Sequence, residues 1–221
     1  MAFDALSKKY SNFLIPKIKV IINGEDITRI NGIILSTVSA ENSTTEPDKF
    51  ALIIEDPQSD WISGELFDPN TPVEIKMGYS NILETIVAAQ ITSTKTTFSP
   101  NAKPQIQITG ENKTPKNSPS PMNSAPITTL RYGKSLLSFS AQVKAENQNA
   151  QTSLIESTMR KAPFTIRCTA QCIGLPEIKP NRIVAMDGLG IKFNKNYVIE
   201  KSVHTFENAG YKTAIEGRQI N

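Results

Sequence analysis

"LFDPNTPVEIKMGYSN" (66–81) sets a Pro-Asn-Thr-Pro turn before an alternating apolar and polar run, then punctuates that run at Gly78. Alternation with period two is how a half-buried strand reads, because successive side chains point to opposite faces of a sheet. Proline presets φ and asparagine tolerates left-handed backbone, so both belong in the turn that precedes the strand. The stretch therefore predicts a turn, a strand over 72–78 and a second turn. Its pattern returns about half a chain later as "PNRIVAMDG" (180–188), with one residue fewer.

The segments beyond each copy also correspond. "ETIVAAQITSTKTTF" (84–98) and "NYVIEKSVHTF" (196–206) are long alternating strands that close in Thr-Phe, and each runs into a polar turn, "SPNAK" or "ENAG". The last strands, "PQIQITG" (104–110) and "YKTAIEG" (211–217), both end in glycine. A shared order of turn, strand, turn, long strand, hairpin and strand predicts two copies of one β module.

The rest of the chain fits an antiparallel β protein, since short runs rich in Val, Ile and Thr alternate with Gly, Pro, Asn and Asp. Further strands are expected at 17–23, 32–42 and 49–56, with one or two in "LRYGKSLLSFSAQVKAEN" (130–147) and others in "FTIRCTAQCI" (164–173) and "RIVAMDG" (182–188). The final strand should run on through "YKTAIEGRQI" (211–220). In "DPQSDWISGELF" (56–67), Ser59 or Asp60 offers an N-cap for a short helix or turn. The opening "FDALSKKYSNFL" (3–14) places Phe3, Leu6 and Tyr10 on one side of a few helical turns, as an arm leading into the first strand. "NAQTSLIESTMRKA" (149–162) has apolar residues at helical spacing, and Pro163 ends the pattern.

Between 111 and 129 lies "ENKTPKNSPSPMNSAPITT", four prolines among Ser, Asn and Thr, a composition that cannot build a core. It divides the chain into an N-terminal β module with its arm (1–110), a linker or long loop (111–129) and a second module (130–221) with a helix at 150–161.

Composition narrows the function. With 221 residues, 38% hydrophobic, 20% charged and a net charge of +3, nothing calls for a nucleic-acid partner. The N-terminal stretch has no apolar signal core, and no run approaches the roughly 18 apolar residues of a membrane helix, so cytoplasmic synthesis without membrane insertion is expected. Cys168 and Cys172 share one face of a strand about 13 Å apart at ~3.3 Å per residue, too far for a disulfide, and read as half-buried free thiols. The single histidine, His204, has no metal-ligand spacing or nucleophile motif beside it and reads as a half-buried sheet residue. Asp56, Asp60 and Glu65 cluster around a turn, where carboxylates bond locally. No catalytic residue, cofactor or metal site is expected. An adhesin or carbohydrate-binding sandwich is permitted by composition, but aromatic content is 7% and Trp61, the single tryptophan, sits in a predicted turn and reads as core.

The ordered set "KKYSNFLIPKIKVIINGEDIT", "LFDPNTPVEIKMGY" with "ETIVAAQITS", "TLRYGKSLLSFS", and "GLPEIKPNRIVAMDGLG" with "NYVIEKSVHTF" resembles the baseplate hub proteins of contractile tails, the phage late control protein D family, related to the hub portion of type VI spike proteins. The resemblance implies a mainly β fold of two tandem tail-tube-like antiparallel β-barrel or sandwich modules with one or two short helices. It implies a homotrimer whose six modules join a six-fold tail tube to a three-fold spike. Its partners would be the tail tube protein, the spike protein and other baseplate components, in a phage virion tail or contractile injection particle. Tyr10, Phe13, Tyr79, Asn117 and Met122 are the contact residues expected toward subunit, tube or spike. The chain departs from the family in having little sequence between "LLSFSAQVKAEN" and the 150–161 helix, which leaves a tube-initiating ring component as the alternative.

Overall fold

The computed structural model describes residues 3–61, 64–100, 102–112, 125–145 and 164–220. The helix expected at 150–161, together with Asn117 and Met122, lies outside the described residues. Among the described residues one helix, α1 (Phe3–Lys9), precedes thirteen strands. The first seven are β1 (Pro16–Ile22), β2 (Glu25–Asp26), β3 (Ile34–Ser43), β4 (Lys49–Glu55), β5 (Pro72–Tyr79), β6 (Ile82–Ser99) and β7 (Ala102–Glu111). The rest are β8 (Thr128–Arg131), β9 (Leu136–Ala145), β10 (Phe164–Ile173), β11 (Ile183–Asp187), β12 (Asn196–Glu207) and β13 (Gly210–Ile220). The fold is mainly β, as the alternating patterns predict.

All thirteen strands join one sheet, with a main path β2-β1-β5-β6-β7-β4-β3-β12-β13-β10-β9 and with β11 on β12 and β8 on β11. That path does not close on itself. Every neighbour pair is antiparallel except β8 with β11. Within this sheet one strand order occurs twice. The first half of the chain runs β1-β5-β6-β7-β4-β3, and the second runs β8-β11-β12-β13-β10-β9, the same order, with β8 parallel to β11 where β1 is antiparallel to β5.

Two of the irregularities repeat as well, while the register shifts at Ile86 against β5 and between Thr97 and Ser99 against β7 have no counterpart. β6 carries an extra residue, Thr92, opposite the Thr109–Gly110 step, and β12 carries Glu200 opposite Glu216–Gly217. β3 bulges at Ser36 against β4, and β9 bulges at Leu137 against β10. A bulge bends its strand and increases local twist, so matched bulges give the two halves matched curvature. The Pro-Asn turns are equivalent in detail. Asn70 (φ 72°) and Asn181 (φ 66°) are both left-handed, and their N–H groups donate to the carbonyls of Ile91 and Ile199 at 2.8 and 2.9 Å. Ile91 and Ile199 donate back to Thr71 and Arg182 at 3.0 and 2.9 Å.

The glycines divide into two kinds. β5 runs through Gly78 to Tyr79, so this residue does not stop the strand. A Cβ there would collide with the carbonyl of Ile82 across the hairpin, and closeness rather than turn geometry requires glycine. Gly188, its counterpart in the repeated pattern, has φ +79° and does sit in a turn. Gly110 and Gly217 are true equivalents, because each leaves room for the carbonyl of the matching residue on the neighbouring strand, Gln90 or Val198.

One continuous core runs through both halves, from Val20, Leu52, Ile75 and Ile108 to Val184, Tyr197, Ile199 and Ile215. At such sites truncation to alanine costs about 2–5 kcal/mol. In 56–67 the carboxylate that holds the turn is Asp56 rather than Ser59 or Asp60: it accepts from the Asp60 and Trp61 amides at 3.2 and 2.9 Å, and the 3-10 turn at Glu65–Phe67 that follows starts at Gly64 with no side-chain cap. Trp61 packs partly buried against the core.

Candidate assembly surface

Three of the residues expected at contacts gather in one place. Tyr10, at the end of α1, lies 5.6 Å from the Tyr79 ring. Tyr79 in turn packs 5.2 Å from Phe13 and 5.8 Å from Tyr211 of β13. Tyr10 and Tyr79 are buried within the chain, at 0% and 3% exposure, whereas Phe13 is half-buried. The group thus joins the two halves of this chain. The Tyr79 hydroxyl donates to the Gly174 carbonyl at 2.8 Å, and Gly174 has no side chain because the Tyr211 ring occupies that space.

A charged cluster seals the same junction. Glu177, between β10 and β11, accepts from the Tyr10 hydroxyl at 2.7 Å and from the Lys9 ammonium at 3.0 Å, and Lys9 also reaches Glu84 at 2.9 Å. Burial opposes the charge on Lys9, but its hydrogen bonds to Glu84 and Glu177 outweigh that and raise its pKa. Lys179 adds a 2.8 Å bond to the Thr85 carbonyl. The predicted arm is therefore a docked helix, with Leu6 and Tyr10 as its buried face. Glu177 and Gly174 escaped sequence reading, although the match of "FDPN" (67–70) with "IKPN" (178–181) begins directly after them.

His204 is fully buried rather than half-buried, with its imidazole 2.8 Å from the Tyr211 hydroxyl and 2.9 Å from the Ile178 carbonyl. Burial, with the nearby Lys179 charge, lowers its pKa to about 4 despite the bond to Ile178, so the ring is neutral. Cys168 and Cys172 are free and buried, beyond the half-burial expected, and burial pushes the Cys168 thiol up to about 12. Among the described residues no group of three or more His, Cys, Asp or Glu side chains could hold a metal ion. No described helix is long and apolar enough to cross a membrane.

The two halves are also joined through backbone. β12 offers two segments on the side away from β13: residues 196–198 pair with β11, and residues 201–207, beyond the Glu200 bulge, pair with β3. Lys201 and Glu41 close this seam at 2.9 Å. In the first half, β6 pairs with β5 only over 82–90. Past the Thr92 bulge, residues 93–99 have β7 on one side and no described strand on the other. Among the described strands β9 likewise pairs with β10 alone, apart from one bridge between Leu136 and Tyr132, and ends the path.

No family model and no curated protein matches the chain. Solved structures do. A tail protein from Neisseria meningitidis aligns with a TM-score of 0.60 at 9% identity, over 93% of this chain and 97% of that one. The 43 kDa tail protein of prophage MuSo2 from Shewanella oneidensis aligns with a TM-score of 0.61 at 8% identity, over 91% and 98%. A type VI secretion system component of E. coli, described as structurally similar to the T4 bacteriophage tail proteins gp27 and gp5, aligns with a TM-score of 0.57 at 9% identity, over 92% of this chain and 77% of that one. At such identities the likeness is one of fold, and this chain has the fold of those tail proteins.

Proposed function

We propose that the chain is a structural hub of a contractile tail or injection particle. It would form a homotrimeric ring that joins a six-fold tail tube to a three-fold spike, in contact with the tube protein, the spike protein and other baseplate components. The observation that carries this reading is the doubled strand order with its matched bulges, since three chains with two like modules each present six like units. In this reading residues 1–110 and 130–221 are the two tube-like modules, 111–129 connects them, and exposed atoms of Phe13 with Asn117 and Met122 face neighbouring subunits or partners. The fold shared with tail proteins and with a type VI secretion component supports it. The role is mechanical: a rigid ring carries load and templates the first tube layer, and no reaction is required.

Molar mass in solution together with negative-stain images of the purified protein tests the reading. A three-chain ring with six peripheral lobes is expected. A monomer at all concentrations that forms no complex with its own tube and spike subunits would overturn it. A ring that binds tube but not spike would point instead to the tube-initiating role, which the short stretch between β9 and β10 favours.

A further inference from the structure

The seam between β3 and β12 is a template for a second seam that the single chain leaves unfilled. By the doubled strand order, β9 stands in the second half where β3 stands in the first, and β6 stands where β12 stands. Inside the chain, the outer edge of β3 is filled by residues 201–207 of β12. Among the described strands, the corresponding edges of β9 and of residues 93–99 in β6 are both open. The two open edges are the two halves of that same seam.

We infer that β9 of one copy of this chain pairs antiparallel with residues 93–99 of β6 in the next copy, in the register already used between β3 and β12. The matched bulges fix that register. Ser43 opposite Lys201, Ala40 opposite His204 and Val38 opposite Phe206 become Lys144 opposite Ser93, Ala141 opposite Thr96 and Phe139 opposite Phe98.

Burial supports the assignment. Val38, Ala40 and Asn42 are at most 5% exposed in the filled seam, whereas their counterparts Phe139 and Ala141 are only half-buried and Val143 is 38% exposed. Phe206 packs against the core, while its counterpart Phe98 is 66% exposed. Pairing would set Phe98 against Phe139, an aromatic contact of the kind that stabilises cross-strand neighbours. Both edges are only lightly protected. β9 has no proline and one charged residue, Lys144, and residues 93–99 have one, Lys95. Natural edges that stay open are blunted by proline, lysine or inward charge. The register faces Lys95 with Gln142, so no like charges meet directly. The contact is heterologous, and repeated around a ring it alternates with the internal seam until the ring closes.

This inference deepens the ring reading and rests on it for the number of chains, but the strand pairing can fail or stand separately. The test is a Thr97→Cys, Ser140→Cys double variant, oxidised with copper-phenanthroline and run on a non-reducing gel. These positions correspond to Thr205 and Ser39, which are opposed in the internal seam, and they lie seven strands apart along the path within one chain. Covalent species of two and more chains are expected, ending at the ring size, with loss of cross-linking when Ala141→Cys replaces Ser140→Cys and turns the thiol to the other face. Phe98→Glu, at an exposed position, should abolish the oligomer and leave a folded monomer that still melts in one cooperative transition. A ring of the expected mass that yields no cross-link, or a cross-link confined to one chain, overturns the pairing. A cross-linked series that ends at a number other than three keeps the pairing and overturns the trimer.

Discussion

The hydroxyl of Tyr79 donates to the carbonyl of Gly174 across 2.8 Å of space and 95 residues of sequence. Tyr79 ends β5, the strand that the opening stretch encodes, so the last residue of that strand locks the first half of the chain onto the second. Replacing Tyr79 by Phe keeps the ring and leaves the buried carbonyl unpaired, which should cost about 1–3 kcal/mol. Replacing it by Ala removes the ring from between Tyr10, Phe13 and Tyr211 and should cost about 3–5 kcal/mol. Urea unfolding of the two variants measures both: an unchanged stability in Tyr79→Phe would show that the hydroxyl contributes nothing, and equal losses in the two would show that the ring adds nothing beyond it.

Gly78 is held by closeness, not by backbone conformation. Gly78→Ala should destabilise by about 1–3 kcal/mol, because the Ile82 carbonyl is backbone and cannot swing aside. The paired control is Gly64→Ala, where a Cβ would be in ordinary contact at 3.5 Å from the Trp61 carbonyl and the change should be small. Thermal unfolding of the two proteins should separate them clearly.

His204 predicts an acid limb in the stability curve. Its folded pKa, lowered to about 4, lies below the ordinary value of 6.5, so between these values the unfolded chain holds more protons. Stability from this group is present in full above pH 6.5 and falls as the pH drops toward 4, by about 3 kcal/mol in all. His204→Gln cannot titrate and should flatten the slope between pH 5 and 6.5, where the carboxylates contribute little. A parallel slope in wild type and variant would refute the assignment.

The cysteines should be silent. Burial raises both thiols, Cys168 to about 12 and Cys172 beyond it, and only the thiolate attacks. An aromatic disulfide reagent at pH 8 should therefore titrate neither cysteine in the folded protein and both after denaturation. Reaction of one thiol in the native state would place its strand at a surface.

Strand positions were legible because each strand has one buried face, so alternation in "PVEIKMG" or "YKTAIEG" reports burial directly. The repeat was legible for a different reason: the Pro-Asn turns and the glycines that close the last strands are steric necessities with few chemical solutions, whereas the matched bulges left no mark in the sequence. Gly78 misled because proximity and turn geometry select the same residue, and a sequence does not distinguish them. Tyr10 and Tyr79, expected to face other subunits, are enclosed by their own chain, since an apolar surface can be covered from within or from without. The seam between β3 and β12 was not legible at all. Backbone pairing between Ala40 and His204 leaves no side-chain signature, and the change of partner at Glu200 depends on one inserted residue.

The pairing of β3 with residues 201–207 also governs how the chain can fold during synthesis. Residues 37–43 emerge early and then wait, with one edge bare, while more than half of the protein is made. Such an edge is a template for misassembly between nascent chains, and contacts of this separation form slowly. Translation rate and chaperone access should therefore affect the yield of this protein more than its final stability would suggest.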